Sequence, residues 1–265
     1  MPRVNALLAG SPFGTLDLGD LFLSSARSDG PRMGYVIPRA YNDATVSFVG
    51  ASLSTNTGSN AVSAGGSYAT TNIFTKLPRW YAVSTTTTAN STAGARGASL
   101  PAVGGFRQRF RWGAADAATV ADARSFTGLA STDLGALAST DIVNLTQIMG
   151  FGADSTDTDL SVYHNDGSGA ATKIALPGVA GSWPANGAGD EVYEGLIEVL
   201  PGGQTWNWWL KRLSTGVSAS GQIVTNFPSS GGSYGCNFHR ASGTTALAVR
   251  LGIFGLVIGD LRLFG

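Results

Sequence analysis

A few side chains in this 265-residue chain have the types and spacing to meet a ligand, and most lie on stretches that alternate. Trp206, Trp208 and Trp209 cluster ahead of Lys211. In a strand, successive side chains point to opposite faces, so Trp206 and Trp208 share one face while Trp209 and Lys211 take the other. The first pair reads as core. Trp209 then lies outward, exposed or covered by a neighbouring subunit. An indole plane there suits the C–H face of a pyranose, with Lys211 as polar neighbour, so Trp209 and Lys211 are the ligand-binding candidates. Arg107, Arg109 and Arg111 alternate with Phe106, Phe110 and Trp112 and make a basic stripe. That stripe reads as a solvated or intersubunit sheet face, with an anionic glycan as the alternative ligand.

The carboxylates and nucleophiles point away from catalysis. Glu194 and Glu198 share a strand face but stand about 13 Å apart by strand rise. Inverting glycosidases hold their two carboxyls about 6.5–9.5 Å apart. Asp154, Asp157 and Asp159 offer oxygen ligands of the kind calcium uses. Only Asp157 and Asp159 keep the alternate spacing of an EF-hand loop, so the cluster reads first as a solvated turn and otherwise as a candidate calcium site. His164, His239 and Cys236 are the only residues of their types, which excludes a three-histidine metal centre and a disulfide framework. No nucleophile signature of the Gly-x-Ser-x-Gly kind sits at a strand–helix turn. The expectation is a protein without catalytic residues and without a cofactor.

The elements that position these groups read as short strands. Strand-like runs occur at 45–49, 72–77, 80–83, 106–112, 144–151, 160–164, 171–176, 192–199, 206–213, 217–225 and 245–262. Asn165-Asp166-Gly167 and Pro201-Gly202-Gly203 mark hairpin turns. The Ser/Thr/Gly-rich stretches 51–70 and 85–97 read as polar loops, and 114–124 is the one helical pattern, with Asp116 as its cap. Many short strands separated by Gly-rich turns predict an all-β, antiparallel sandwich over 46–265. Residues 1–45 read as an attachment and oligomerisation arm, with Leu16, Leu18, Leu21 and Leu23 as anchors that pack on this chain's own domain or on a neighbour.

Composition supports this picture. The chain is long enough to bury about 70–75% of its unfolded surface without staples. Lys+Arg and Asp+Glu both number 17, so there is no net basic field of the kind nucleic-acid binders carry. Charged residues are 13% and glycines number 37, which excludes a coiled coil, and 43% hydrophobic residues argue against disorder. The apolar run Leu251–Ile258 is far short of a spanning segment, and residues 1–10 lack a signal-peptide core. Synthesis in the cytoplasm without membrane insertion is expected. A neutral surface protects little against self-association and so suits a subunit of an assembly.

Several stretches carry a family resemblance. They are Thr70-Thr71-Asn72-Ile73-Phe74-Thr75-Lys76-Leu77-Pro78-Arg79, Ser91 to Gly97, Gly104 to Gly113, Ala115 to Leu129 and Ala241 to Val249. Across about residues 70–262 the chain resembles the C-terminal β-sandwich module of tailed-bacteriophage virion structural and tail-fibre proteins. The resemblance implies a jelly-roll, lectin-like sandwich at the end of a virion appendage. It also implies a homo-oligomer, most simply a homotrimer, with other virion proteins and a host cell-surface glycan as partners. A tail-fibre or spike component is therefore the leading expectation. Capsid decoration with a pure assembly role and a free carbohydrate-binding module are the alternatives.

Overall fold

The computed structural model describes residues 34–36, 46–48, 51–57, 59–61, 80–83, 89–114, 120–132, 134, 137, 139–176, 178–179, 192–244, 246 and 249–260. Up to residue 83, and at 250 and 253–260, the description is of backbone pairing. The anchors Leu16, Leu18, Leu21 and Leu23 and the expected strand 72–77 lie outside the described residues.

Sixteen strands run through these residues in two eight-stranded sheets, and every strand pair is antiparallel. The front sheet runs β14(Ser218–Ile223), β13(Trp206–Arg212), β12(Tyr193–Val199), β7(Phe106–Ala114), β16(Arg250–Asp260), β5(Trp80–Val83), β4(Ser59–Ala61), with β1(Gly34–Val36) also on β16. The back sheet runs β11(Thr172–Ala175), β10(Ser161–Asn165), β9(Ile148–Ala153), β8(Arg124–Ala130), β15(Ser233–Ala241), β6(Thr92–Pro101), β3(Ala51–Thr57), β2(Val46–Phe48). Among the described strands the chain changes sheet eight times, between β1 and β2, β3 and β4, β5 and β6, β6 and β7, β7 and β8, β11 and β12, β14 and β15, and β15 and β16, the crossing habit of a jelly roll. β1 falls inside the segment 1–45 and pairs with β16 through Gly34↔Ile258 to Val36↔Leu256.

Alternation decides which face of each strand is dry. In β7, Phe106, Phe110 and Trp112 are buried between the sheets while Arg107, Arg109 and Arg111 stay half-buried on the outside. Trp206 and Trp208 of β13 turn inward in the same way. Across the gap they meet Met149, Phe151, Val162, Cys236 and Phe238 of the back sheet. Trp112 stacks on Phe151 with centroids 5.6 Å apart, and Phe110 meets Phe238 edge-on at 5.9 Å. Each such pair adds about 0.5–1.5 kcal/mol beyond the area it buries. Gly195 makes room for the stack, because a Cβ there would lie 2.6 Å from Phe151 and 3.0 Å from Trp112.

A second, smaller core covers the outside of the back sheet. The connection from β8 to β9 brings Leu134, Leu137, Ile142 and Leu145 over Phe126, Ile148 and Tyr163. Gly152 must lack a side chain here, since a Cβ would lie 2.5 Å from the Ile142 δ-methyl.

Three expectations need correction. The stretch 85–97, read as a polar loop, contains the start of β6, and 51–70 contains β3 and β4. In β6 the buried residues are small: Ala93, Gly94 and Ala95 lie beneath neighbours on β15, with the His239 ring directly over Gly94. Close packing demanded small residues, and small residues among Ser and Thr look like loop. The helix expected over 114–124 is absent from the described part of that stretch. Ala114 ends β7, Ala121 and Asp122 form a turn, and Arg124 begins β8.

Candidate functional site

The outer face of the front sheet gathers the residues singled out in the sequence. Register across β7, β12, β13 and β14 sets three rows. The first is Arg111, Glu194, Lys211, Ser218. The second is Arg109, Leu196, Trp209, Ser220. The third is Arg107, Glu198, Asn207, Gln222. Directly opposed residues in such a pairing have Cβ atoms about 4.5–5.5 Å apart, so each row is a line of touching side chains.

The basic stripe is thus an ion-paired lattice. Arg107 donates through Nε to Glu198 Oε1 at 2.9 Å and also through Nη2. Asn207 Nδ2 donates to Glu198 Oε2 at 3.0 Å, and Gln222 Nε2 donates to Asn207 Oδ1 at 3.0 Å. The third row is therefore one chain of hydrogen bonds across four strands. Glu194 holds two guanidiniums: Arg109 donates to Oε1, and Arg111 donates to Oε2 through Nε at 3.0 Å and through Nη2. The carboxylate side chains are only 5% and 7% exposed, against 17–21% for the three arginines. A carboxylate this dry is tolerated because donors replace its water. All four carboxylate oxygens already accept hydrogen bonds from the chain itself, so neither glutamate presents a vacant oxygen to a substrate.

Trp209 lies on the outer face, as alternation requires, but it is 5% exposed, as is Leu196 beside it. Of the two settings expected for it, exposed or covered, the exposed one is corrected: Trp209 is a buried member of the outward-facing row. What stays open is the β14 row of Ser218, Ser220 and Gln222, with Lys211 half-buried next to it. Sequence reasoning missed Asn207, Gln222 and the Glu–Arg pairing. The clue was present, since arginines at 107, 109 and 111 and glutamates at 194 and 198 share a two-residue period.

The acidic candidates separate. Tyr163 Oη sits 2.6 Å from Asp157 Oδ2 and 3.2 Å from Asp154 Oδ2, and the Asp154 amide donates to Asp157 at 2.9 Å. Lys173 pairs with Asp157, and the Ile142 amide donates to Asp154. Asp141, unforeseen in the sequence, joins through Ser155 and pairs with Arg124 at 2.5 Å. Asp159 is exposed and takes no part in these contacts. Among the described residues no group of three or more His, Cys, Asp or Glu is placed to hold a metal ion. Burial raises the Asp154 carboxyl, helped by Asp141 and Asp157. Burial pushes Asp157 up too, but Lys173, Tyr163 and the Asp154 amide outweigh it and hold that carboxyl below its ordinary value. These groups tie β9, β10 and β11 to the β8–β9 connection, a structural task.

No family model matches the chain, and no curated protein matches it. Solved structures do. Peanut lectin with a 9mer peptide superposes with a TM-score of 0.52 at 10% identity, covering 87% of this chain and 97% of the lectin. The winged bean acidic lectin in complex with methyl-α-D-galactose gives 0.50 at 11% identity, covering 87% of this chain and 98% of that one. A protein of unknown function from Shewanella oneidensis gives 0.51 at 12% identity, covering 94% and 97%. Likeness at these identities concerns the fold, and with the two antiparallel sheets described above it makes this chain a lectin-like jelly-roll β-sandwich.

Proposed function

We propose that the protein is a non-enzymatic recognition module of a bacteriophage virion appendage of the tail-fibre or spike type, and that its sandwich binds host-surface glycan on the outer face of β7, β12, β13 and β14. One observation carries the glycan role. The glutamates are saturated by donors of the chain itself, while Lys211, Ser218, Ser220 and Gln222 stay within reach of solvent around the buried Trp209. Oriented donors and hydroxyls on a stiff sheet suit a polyhydroxylated ligand, because little freedom is lost on binding. Saturated carboxylates lack the free acid and base that glycoside hydrolysis needs. The virion setting rests on the sequence resemblance, and a homotrimer would supply the avidity that a shallow sheet face needs.

A glycan array probed with the full-length protein, beside a Lys211→Ala, Gln222→Ala double variant, tests the binding role. Saturable binding that the double variant loses is the expected result. No binding to any glycan overturns it and leaves an assembly role such as capsid decoration.

A further inference from the structure

We infer that the outer face of the front sheet takes an acidic saccharide, a sugar unit whose carboxylate seats over the row formed by Arg111, Glu194 and Lys211. This assignment rests on the glycan-binding role proposed above and names the class of sugar.

Charge is the first reason. On the four strands of this face, Arg107, Arg109, Arg111 and Lys211 stand against Glu194 and Glu198, a local surplus of two positive charges. The whole chain is balanced at 17 and 17, so the surplus is a local one, offset elsewhere in the chain. Lys211 is the second reason. Register sets it directly opposite Glu194, yet both oxygens of that carboxylate are taken by Arg109 and Arg111. Among the described residues Lys211 has no ion pair, although it is half-buried. A partly desolvated ammonium attracts an anion more strongly than one in bulk water. Geometry is the third. Arg111 spends Nε and Nη2 on Glu194, which leaves Nη1 for a ligand. Two strand spacings, about 9–10 Å, separate the β7 and β13 backbones, and register sets Glu194 between Arg111 and Lys211. A sugar carboxylate can bridge them and complete the pairing that one glutamate between three cations leaves short. From there the ring hydroxyls meet Ser218, Ser220 and Gln222 on the exposed row of β14.

The test uses the full-length protein and matched probes: oligogalacturonate, the same oligomer methyl-esterified, an oligosialic acid, neutral galactan and glucan oligomers, and oligoglutamate of equal charge. The expected result is binding to one or both acidic sugars, at least tenfold weaker binding once the carboxylates are esterified, and a fall in affinity as salt rises from 50 to 500 mM. Lys211→Ala should lose about tenfold and Lys211→Arg should keep most of the affinity, with circular dichroism showing both folded. Neutral sugars bound as well as acidic ones, or unchanged affinity in Lys211→Ala, would overturn the acidic class while the glycan-binding role stands. Equal binding of oligoglutamate would overturn sugar recognition in favour of bare charge. No saccharide bound at all would sink the glycan-binding role itself.

Discussion

Replacing Glu194 by glutamine probes the lattice most directly. The side chain is 5% exposed and each oxygen accepts from a different arginine. Glutamine keeps the shape but removes the charge and turns one acceptor into a donor, which then faces a guanidinium. Hydrogen bonds to charged groups contribute about 1.5–3 kcal/mol each, and breaking a fully buried ion pair costs about 3–5 kcal/mol. Arg109 and Arg111 are 17% and 20% exposed, so water relieves part of that loss. The expected destabilisation is about 2–4 kcal/mol. For a domain of this size each kcal/mol moves Tm by about 2–4 °C, so calorimetry should show a fall of about 4–16 °C. A double-mutant cycle with Arg111→Gln isolates the pair and should return a coupling of at least about 1 kcal/mol. A Glu194→Gln protein within about 0.5 kcal/mol of the parent, with zero coupling to Arg111, would refute the lattice as a stabilising element and with it the rigidity on which the binding role depends.

Asp157→Asn should destabilise at neutral pH by about 1–2 kcal/mol. The folded Asp157 carboxyl lies below its ordinary 3.8, so its contribution is present above that pH and fades as pH falls through the lower folded value. Urea melts from pH 7 to pH 2 should show parent and variant converging in acid. Asp154 carries the opposite sign: its raised carboxyl disfavours the ionised native state, so the parent should gain on Asp154→Asn as pH falls toward 3.8. Gly195→Ala forces a methyl between Trp112 and Phe151, and thermal melts should show a loss of about 1–3 kcal/mol with a changed near-UV aromatic signal. Deleting residues 1–33 keeps β1 and should leave a folded sandwich that fails to enter particles; unfolding on truncation would mean that the leucines complete this chain's own core. Sedimentation of the full-length protein should give a trimer, and a clean monomer at tens of micromolar would count against self-assembly.

Much of the architecture is legible in one dimension, because the two-residue period of a strand is a local property. Phe106, Phe110 and Trp112 against Arg107, Arg109 and Arg111 identify the dry and wet faces of β7, and Trp206 and Trp208 against Asn207 and Lys211 do the same for β13. The all-β sandwich follows from repeating that pattern between glycine-rich turns. Strands whose buried side chains are small or polar escape it. β6 packs alanine and glycine, and β15 buries Asn237, His239 and Arg240, so neither alternates in hydrophobicity. The site lies further beyond local reading. That Glu194 falls between Arg111 and Lys211, rather than one residue along, is settled by the register of the β12–β13 hairpin together with its pairing to β7, which is distant in sequence. A slip of one residue would turn Leu196 and both glutamates to the other face. The alternating side chains therefore determine which residues face outward, while tertiary pairing alone decides which of them become neighbours, because register is fixed by the fit of two whole sheets around their shared core.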